Sequence, residues 1–135
     1  MTVPVEKLQD GPIIVYHYPE KLESNQELRD ALIAENDIAQ SLPDPAIWVI
    51  HDASKLSIHF SALISALITL TREGPEGFDD PRLRIIVVSK SDWIKFAAKS
   101  ASQKQYGGWQ ISVFDTYEQA LAHAREEMAQ QTEQG

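Results

Sequence analysis

Cysteine is absent from the 135 residues. That excludes disulfides, thiolate nucleophiles and sulfur-ligated metal, and it suits a reducing, cytoplasmic setting. Basic residues are scarce: 12 Lys and Arg stand against 20 Asp and Glu, for a formal charge of −8. Such a chain repels phosphate, because nucleic-acid binding draws on clustered Lys and Arg that release counterions. No nucleic-acid partner is expected. The longest uncharged stretch, residues 56–71, is shorter than the roughly 20 apolar residues a spanning helix needs and is broken by Ser, Thr and His. No transmembrane segment is expected, and Met1–Asp10 lacks the basic-then-apolar order of a secretory signal. G-x-S-x-G, P-loop and G-x-G-x-x-G patterns are missing, so neither hydrolase nor nucleotide chemistry has a signature. His17, His51, His59 and His123 are scattered without an i, i+4 pair, and no metal or cofactor is expected.

What is present is a core. Hydrophobic residues make up 43% of the chain, enough for one domain and too little length for two. The central feature is Leu56–Thr71, where Phe60, Leu63, Ile64, Leu67, Ile68 and Thr71 recur at helical spacing. Ser61, Ala62, Ser65, Ala66 and Thr69 form the opposite side, small and weakly polar where a solvated helix carries Lys and Glu. Either a neighbouring loop or helix lies over that back, or a partner does.

In chain order, Asp10-Gly11 between two β-favouring runs predicts a hairpin, with Pro12 opening the second strand. Ser24 and Glu27 have capping-box spacing, and a helix follows. Glu35 falls in the middle of its apolar face, so either the helix breaks at Asn36-Asp37 or Glu35 is buried. The break is the expectation, because Asn and Asp cap a new turn and Pro43 ends it. Ala46–Ala53 and Leu83–Ser89 are buried-type strands. Ser91 caps a short helix carrying Trp93, Ile94 and Ala97, and the three tryptophans are read as packing residues. Gly107-Gly108 leads into Trp109–Phe114, and Thr116 with Gln119 caps the last helix. One domain, 1–128, is expected, with 129–135 a mobile polar tail. The order is β-β-α-β-α-β-α-β-α. It predicts an α/β fold with a mixed, mostly parallel five-stranded sheet that opens with an antiparallel hairpin and has helices packed on it.

This order resembles the STAS domain, shared by anti-sigma-factor antagonists such as SpoIIAA and by the cytoplasmic ends of sulfate transporters. The residues that carry the resemblance are Ile47–Leu67, a strand, an Asp-x-Ser turn and a helix, and Val113–Ala124, a last strand and helix. The resemblance implies a non-catalytic regulatory or protein-docking domain. In phosphorylatable relatives an Asp-Ser-Ser-Gly signature presents a serine at a helix start. Counted from Asp52-Ala53-Ser54, its positions fall on Phe60, Ser61, Ala62 and Leu63, where only Ser61 matches. Ser61 is the candidate phosphoacceptor, at a helix end whose free amides favour phosphate.

Partner binding is placed on Ser61, Ala62, Ser65, Ala66 and Thr69, the partner being another protein or a second copy in a homodimer. The alternative is a carrier of a small apolar ligand or lipid, since SpoIIAA-like folds resemble lipid-transfer domains. A third reading is a hydrolase-like enzyme at the carboxyl ends of the strands, where ligands of open α/β sheets collect. That end supplies His51, Asp52, Ser54 and Ser91, where an Asp could orient His51 and a serine could serve as nucleophile. The competing role for Ser91, Asp92 and Asp115 is helix capping.

Overall fold

The computed structural model describes residues 3–59, 62, 65–66, 82–101 and 111–134. Eight elements are defined within them: β1 (Val5–Lys7), β2 (Ile13–His17), α1 (Asn25–Gln40), β3 (Ile47–Asp52), β4 (Leu83–Val88), α2 (Asp92–Ala101), β5 (Ile111–Phe114) and α3 (Tyr117–Gln134). Residues 62, 65 and 66, between β3 and β4, are helical. The strands form one five-stranded sheet in the order β1-β2-β3-β4-β5, with β1 antiparallel to β2 and every other pair parallel. This is the mixed α/β architecture expected above.

Strand order decides the layering. From β2 onward each new strand is added on the same side of the last, and parallel crossovers are right-handed, so all of them must run over one face. Leu28, Ala31 and Ala39 of α1, Ala66, and Ile94 and Ala97 of α2 accordingly share one core with Ile14, Tyr16, Ile47 and Val49. The other face holds Ile13, Val15, Trp48, Ile50, Ile86 and Val88 and is closed by Ala120 and Ala124 of α3. Period-two alternation along each strand divides the two cores.

Several local expectations are corrected. Residues 56–59 are not helical; a turn joins Leu56 N to Ala53 O, and Ser57 N donates to Glu20 O at 2.8 Å, which ties this stretch to the loop after β2. Helix α1 does not break at Asn36-Asp37, which sit inside it at a propensity cost of a few tenths of a kcal/mol. Glu35 is instead 1% exposed, and the Tyr16 hydroxyl donates to its Oε1 at 2.6 Å. The first capping box does not form: the Ser24 side chain makes no cap bond, and Glu27 Oε1 accepts at 3.2 Å from Glu23 N, one residue before the cap. The second is complete, with Thr116 N bound to Gln119 Oε1 and Gln119 N to Thr116 Oγ1.

The last helix also passes its expected end at 128 and runs to Gln134. Arg125 Nε binds Asp10 Oδ2 at 2.8 Å, and a Cβ on Gly11 would run into the end of the Met128 side chain, so α3 holds the hairpin turn closely. At the far end of α1, the Arg82 guanidinium donates to the carbonyls of Ala39 (3.0 Å) and Leu42 (2.7 Å). It gives a helix C-terminus without basic residues of its own the cation that its dipole favours.

Removing the Tyr16 hydroxyl takes away a donor to a buried carboxylate, which costs about 1–3 kcal/mol. Tyr16→Phe is expected to lower the urea midpoint accordingly. Combined with Glu35→Leu, a double-mutant cycle should give a coupling of about 1 kcal/mol; additive losses would mean that the pair contributes nothing as a pair.

Candidate functional site

The parallel strands β2 to β5 direct their carboxyl ends to one side of the molecule, the usual place for ligands. Residues 18–25, 53–59, 89–91 and 115–116 gather there.

His51 and Asp52 are consecutive in β3 and therefore point to opposite faces. His51 turns toward the α1 layer and is 6% exposed; its Nδ1 shares a 2.8 Å hydrogen bond with the Tyr18 hydroxyl, and its ring lies 4.2 Å from that of Tyr16. Burial lowers its pKa to about 4, so the imidazole is neutral at pH 7. Burial first, and then the Glu35 charge, raise the hydroxyl pKa of both Tyr16 and Tyr18. Asp52 faces the other way, and its Oδ1 accepts from Ser54 N at 3.1 Å and Ser54 Oγ at 2.7 Å, an Asx turn. Asp52 therefore does not orient His51, and Ser54 meets a carboxylate rather than an imidazole. Ser91 takes the capping role, accepting weakly from Ile94 N at 3.4 Å while its own N–H binds Ser89 Oγ. Asp115 binds Lys95 Nζ at 2.8 Å, which holds the carboxyl below its ordinary pKa and the amine above. Among the described residues, no three His, Cys, Asp or Glu side chains are grouped to hold a metal ion.

The buried Tyr16–Glu35 and Tyr18–His51 pairs were not read from the sequence. Their signal was there: a carboxylate on the apolar face of a helix, and tyrosines alternating with Ile14 on one face of a strand.

Beside them a groove of about 800 Å³ opens between residues 20–25 and 57–59. Leu22 and Ile58 give it apolar walls, Glu20, Lys21 and His59 stand along it, and Ala62 and Ser65 form its helical side. Asn25 Nδ2 donates to Ser65 Oγ at 2.7 Å and joins α1 to that side. Of the expected partner-binding residues, Ala62 and Ser65 are exposed. Ala66 is corrected: it is 5% exposed and belongs to the core that α1 shares, so it is not open to a partner. Ser61, the candidate phosphoacceptor, and Thr69 lie outside the described residues.

The outer surface of this layer is unusual in another way. Ile33 on α1 is 51% exposed, and Trp93 and Phe96, one turn apart on α2, are 55% and 61% exposed. Trp93, read as a packing residue, is thus more than half exposed, while Trp48 is buried, with its indole N–H donating to Glu127 Oε1 at 3.1 Å. Trp109 lies outside the described residues.

No family model and no curated protein matches the chain. Among solved structures it is similar to an uncharacterized protein from the DUF3478 family with a SpoIIAA-like fold, from Shewanella loihica PV-4, at 16% identity over 90% of each chain with a TM-score of 0.46. A likeness at that level bears on no activity, and the architecture rests on the strand order and register given above.

The buried imidazole makes stability depend on pH. Above about 6.5, the ordinary histidine value, folded and unfolded chains both hold His51 neutral and the full stability is present. As pH falls from there to about 4, the unfolded chain binds the proton first and stability is lost, by roughly 3 kcal/mol in total at 1.36 kcal/mol per pKa unit. Urea titrations at several pH values should show this slope in the wild type and its loss in His51→Gln; equal slopes would count against a buried neutral His51.

Proposed function

We propose that this protein is a non-catalytic STAS-like docking domain of the cytoplasm that binds another protein across the outer surface of the α1–α2 layer, around Ala62 and Ser65. The observation that carries this reading is the placement of Ile33, Trp93 and Phe96. The large hydrophobic side chains exposed among the described residues all stand on the helices of one layer. The outward residues of α3 on the other layer are polar, charged or small: Glu118, Gln119, Ala122, Arg125 and Glu126. Scattered exposed apolar residues are ordinary, whereas aromatic residues on one surface have the composition of interface centres. Burying one such side chain stabilises a complex by about 1.5–3 kcal/mol. The commitments of Asp52, Ser54 and Ser91 to turns and caps support a role without chemistry.

A second reading, a carrier of a small apolar molecule, is favoured by the groove between residues 20–25 and 57–59, whose 800 Å³ falls in the ~300–1,000 Å³ range of ligand sites. The two readings separate in native mass spectrometry of protein purified from its own cells. For docking, the wild type should retain a second polypeptide that Trp93→Glu/Phe96→Glu loses by roughly tenfold or more with unchanged circular dichroism. A retained small molecule, indifferent to those substitutions and displaced by Ala62→Trp, would favour the carrier. Equal retention of the polypeptide by the double variant would remove the docking surface from the α1–α2 layer.

A further inference from the structure

The crossovers place α1, the helical residues 62, 65 and 66, and α2 side by side on one face of the sheet, in the order of the strands they join. The middle segment turns small side chains outward, Ala62 and Ser65, where its neighbours expose Ile33 on α1 and Trp93 and Phe96 on α2.

Two contacts fix how the flanking helices are turned. Asn25 Nδ2 donates to Ser65 Oγ at 2.7 Å, so the Asn25 side of α1 faces the middle segment. At about 100° per residue, Ile33 lies roughly 80° round from Asn25, and Asp30 and Asp37 about 40–60° beyond it, on the outer slope. Lys95 Nζ reaches Asp115, next after β5, at 2.8 Å, so the Lys95 side of α2 faces the sheet edge. Trp93 lies about 160° round from Lys95, on the side of the middle segment, with Phe96 between it and the outward apex. Ile33 on one side and Trp93 and Phe96 on the other thus border a floor of small residues. Neighbouring helices pack about 8–10 Å apart, so α1 and α2 are separated by roughly 16–20 Å, which admits one further helix of about 10–12 Å diameter above the floor.

We propose that this trough takes an amphipathic helix of a partner protein whose edge over α1 is basic, with two Lys or Arg seven residues apart and an apolar residue between them. The inference rests on the docking reading above and adds the chemistry of the partner.

Charge selects that chemistry. The exposed residues of α1 are Gln26, Asp30, Ile33, Asp37 and Gln40, two carboxylates around one apolar side chain, and the helix's one cation, Arg29, is half-buried. Asp30 Oδ1 accepts from the neutral Gln26 amide at 2.9 Å, a bond that leaves its charge in place. Asp30 and Asp37 are about 10.5 Å apart along α1 at 1.5 Å per residue. Cations at i and i+7 of a helix lying alongside therefore meet both, and an apolar residue at i+3 or i+4 meets Ile33. On α2 the exposed Asp92 and Lys99 offset each other, so the basic edge belongs over α1. The net charge of −8 attracts such a partner from a distance and repels the phosphates of nucleic acids and anionic bilayers.

Fluorescence anisotropy of the full chain with two labelled helical peptides of about 18 residues tests it. Both carry Leu at three- and four-residue spacing; one has Lys at two positions seven residues apart on one edge of that face, and the other has Glu there. The wild type should bind the Lys peptide roughly tenfold or more tightly than the Glu peptide, with the difference narrowing at high salt. Asp30→Lys/Asp37→Lys should reverse the preference, whereas Glu118→Lys/Glu126→Lys, the same charge change on α3, should keep it. Trp93→Glu/Phe96→Glu should lose both peptides with unchanged circular dichroism. Equal affinity of the wild type for the two peptides, lost in Trp93→Glu/Phe96→Glu, would overturn the basic edge and leave the docking surface standing. Binding of both that survives Trp93→Glu/Phe96→Glu would overturn the docking surface as well. No binding of the Lys peptide, or a preference that Asp30→Lys/Asp37→Lys leaves unchanged, would likewise overturn the proposal.

Discussion

The handedness of parallel crossovers is the constraint from which the rest of the molecule follows. A sheet that grows in one direction from β2 to β5 has to carry α1, the helical residues 62, 65 and 66 and α2 on a single face. The opposite face then has no crossover to cover it, although Trp48, Ile50, Ile86 and Val88 are as apolar as the residues across the sheet. Only a helix after the last strand can bury them. That helix, α3, is fixed at its start by the capping box at Thr116 and farther along, at Arg125 and Met128, by contacts with the hairpin turn at Asp10 and Gly11.

Crowding helices on one side also accounts for the polar groups inside. The α1 side of the sheet carries Tyr16, Tyr18 and His51 where the α3 side carries aliphatic residues and Trp48. Hydroxyls, an imidazole and the Glu35 carboxylate are tolerated there because they meet one another in hydrogen bonds of 2.6 and 2.8 Å. The pairs orient α1 on β2 and β2 on β3, so a network with the residue types of an active site has a structural effect. At the strand ends the same economy recurs: Asp52 and Ser54 close a turn, Ser91 starts a helix, and Asp115 binds Lys95.

Three surfaces differ in ways that bear on binding. The α1–α2 layer presents apolar side chains outward, the groove beside residues 57–59 mixes Leu22 and Ile58 with charge, and β5 presents backbone. They would recognise different things: a side-chain surface, a small molecule and a strand.

The sequence by itself determined the element order, the opening hairpin, the parallel remainder and the capping box at Thr116, because each depends on residues close in the chain or on a simple apolar period. Only the tertiary structure decided that α1 continues past Asn36, that residues 56–59 are not helical, that Ala66 turns inward, and that α3 reaches Gln134. The first three of those outcomes depend on a partner far away in sequence: Tyr16 for Glu35, Glu20 for Ser57, the core shared with α1 for Ala66. Local periodicity reports which side of a helix is apolar. It does not report whether a distant hydroxyl is placed to donate to a buried carboxylate, or whether a tryptophan on a short helix is buried or more than half exposed.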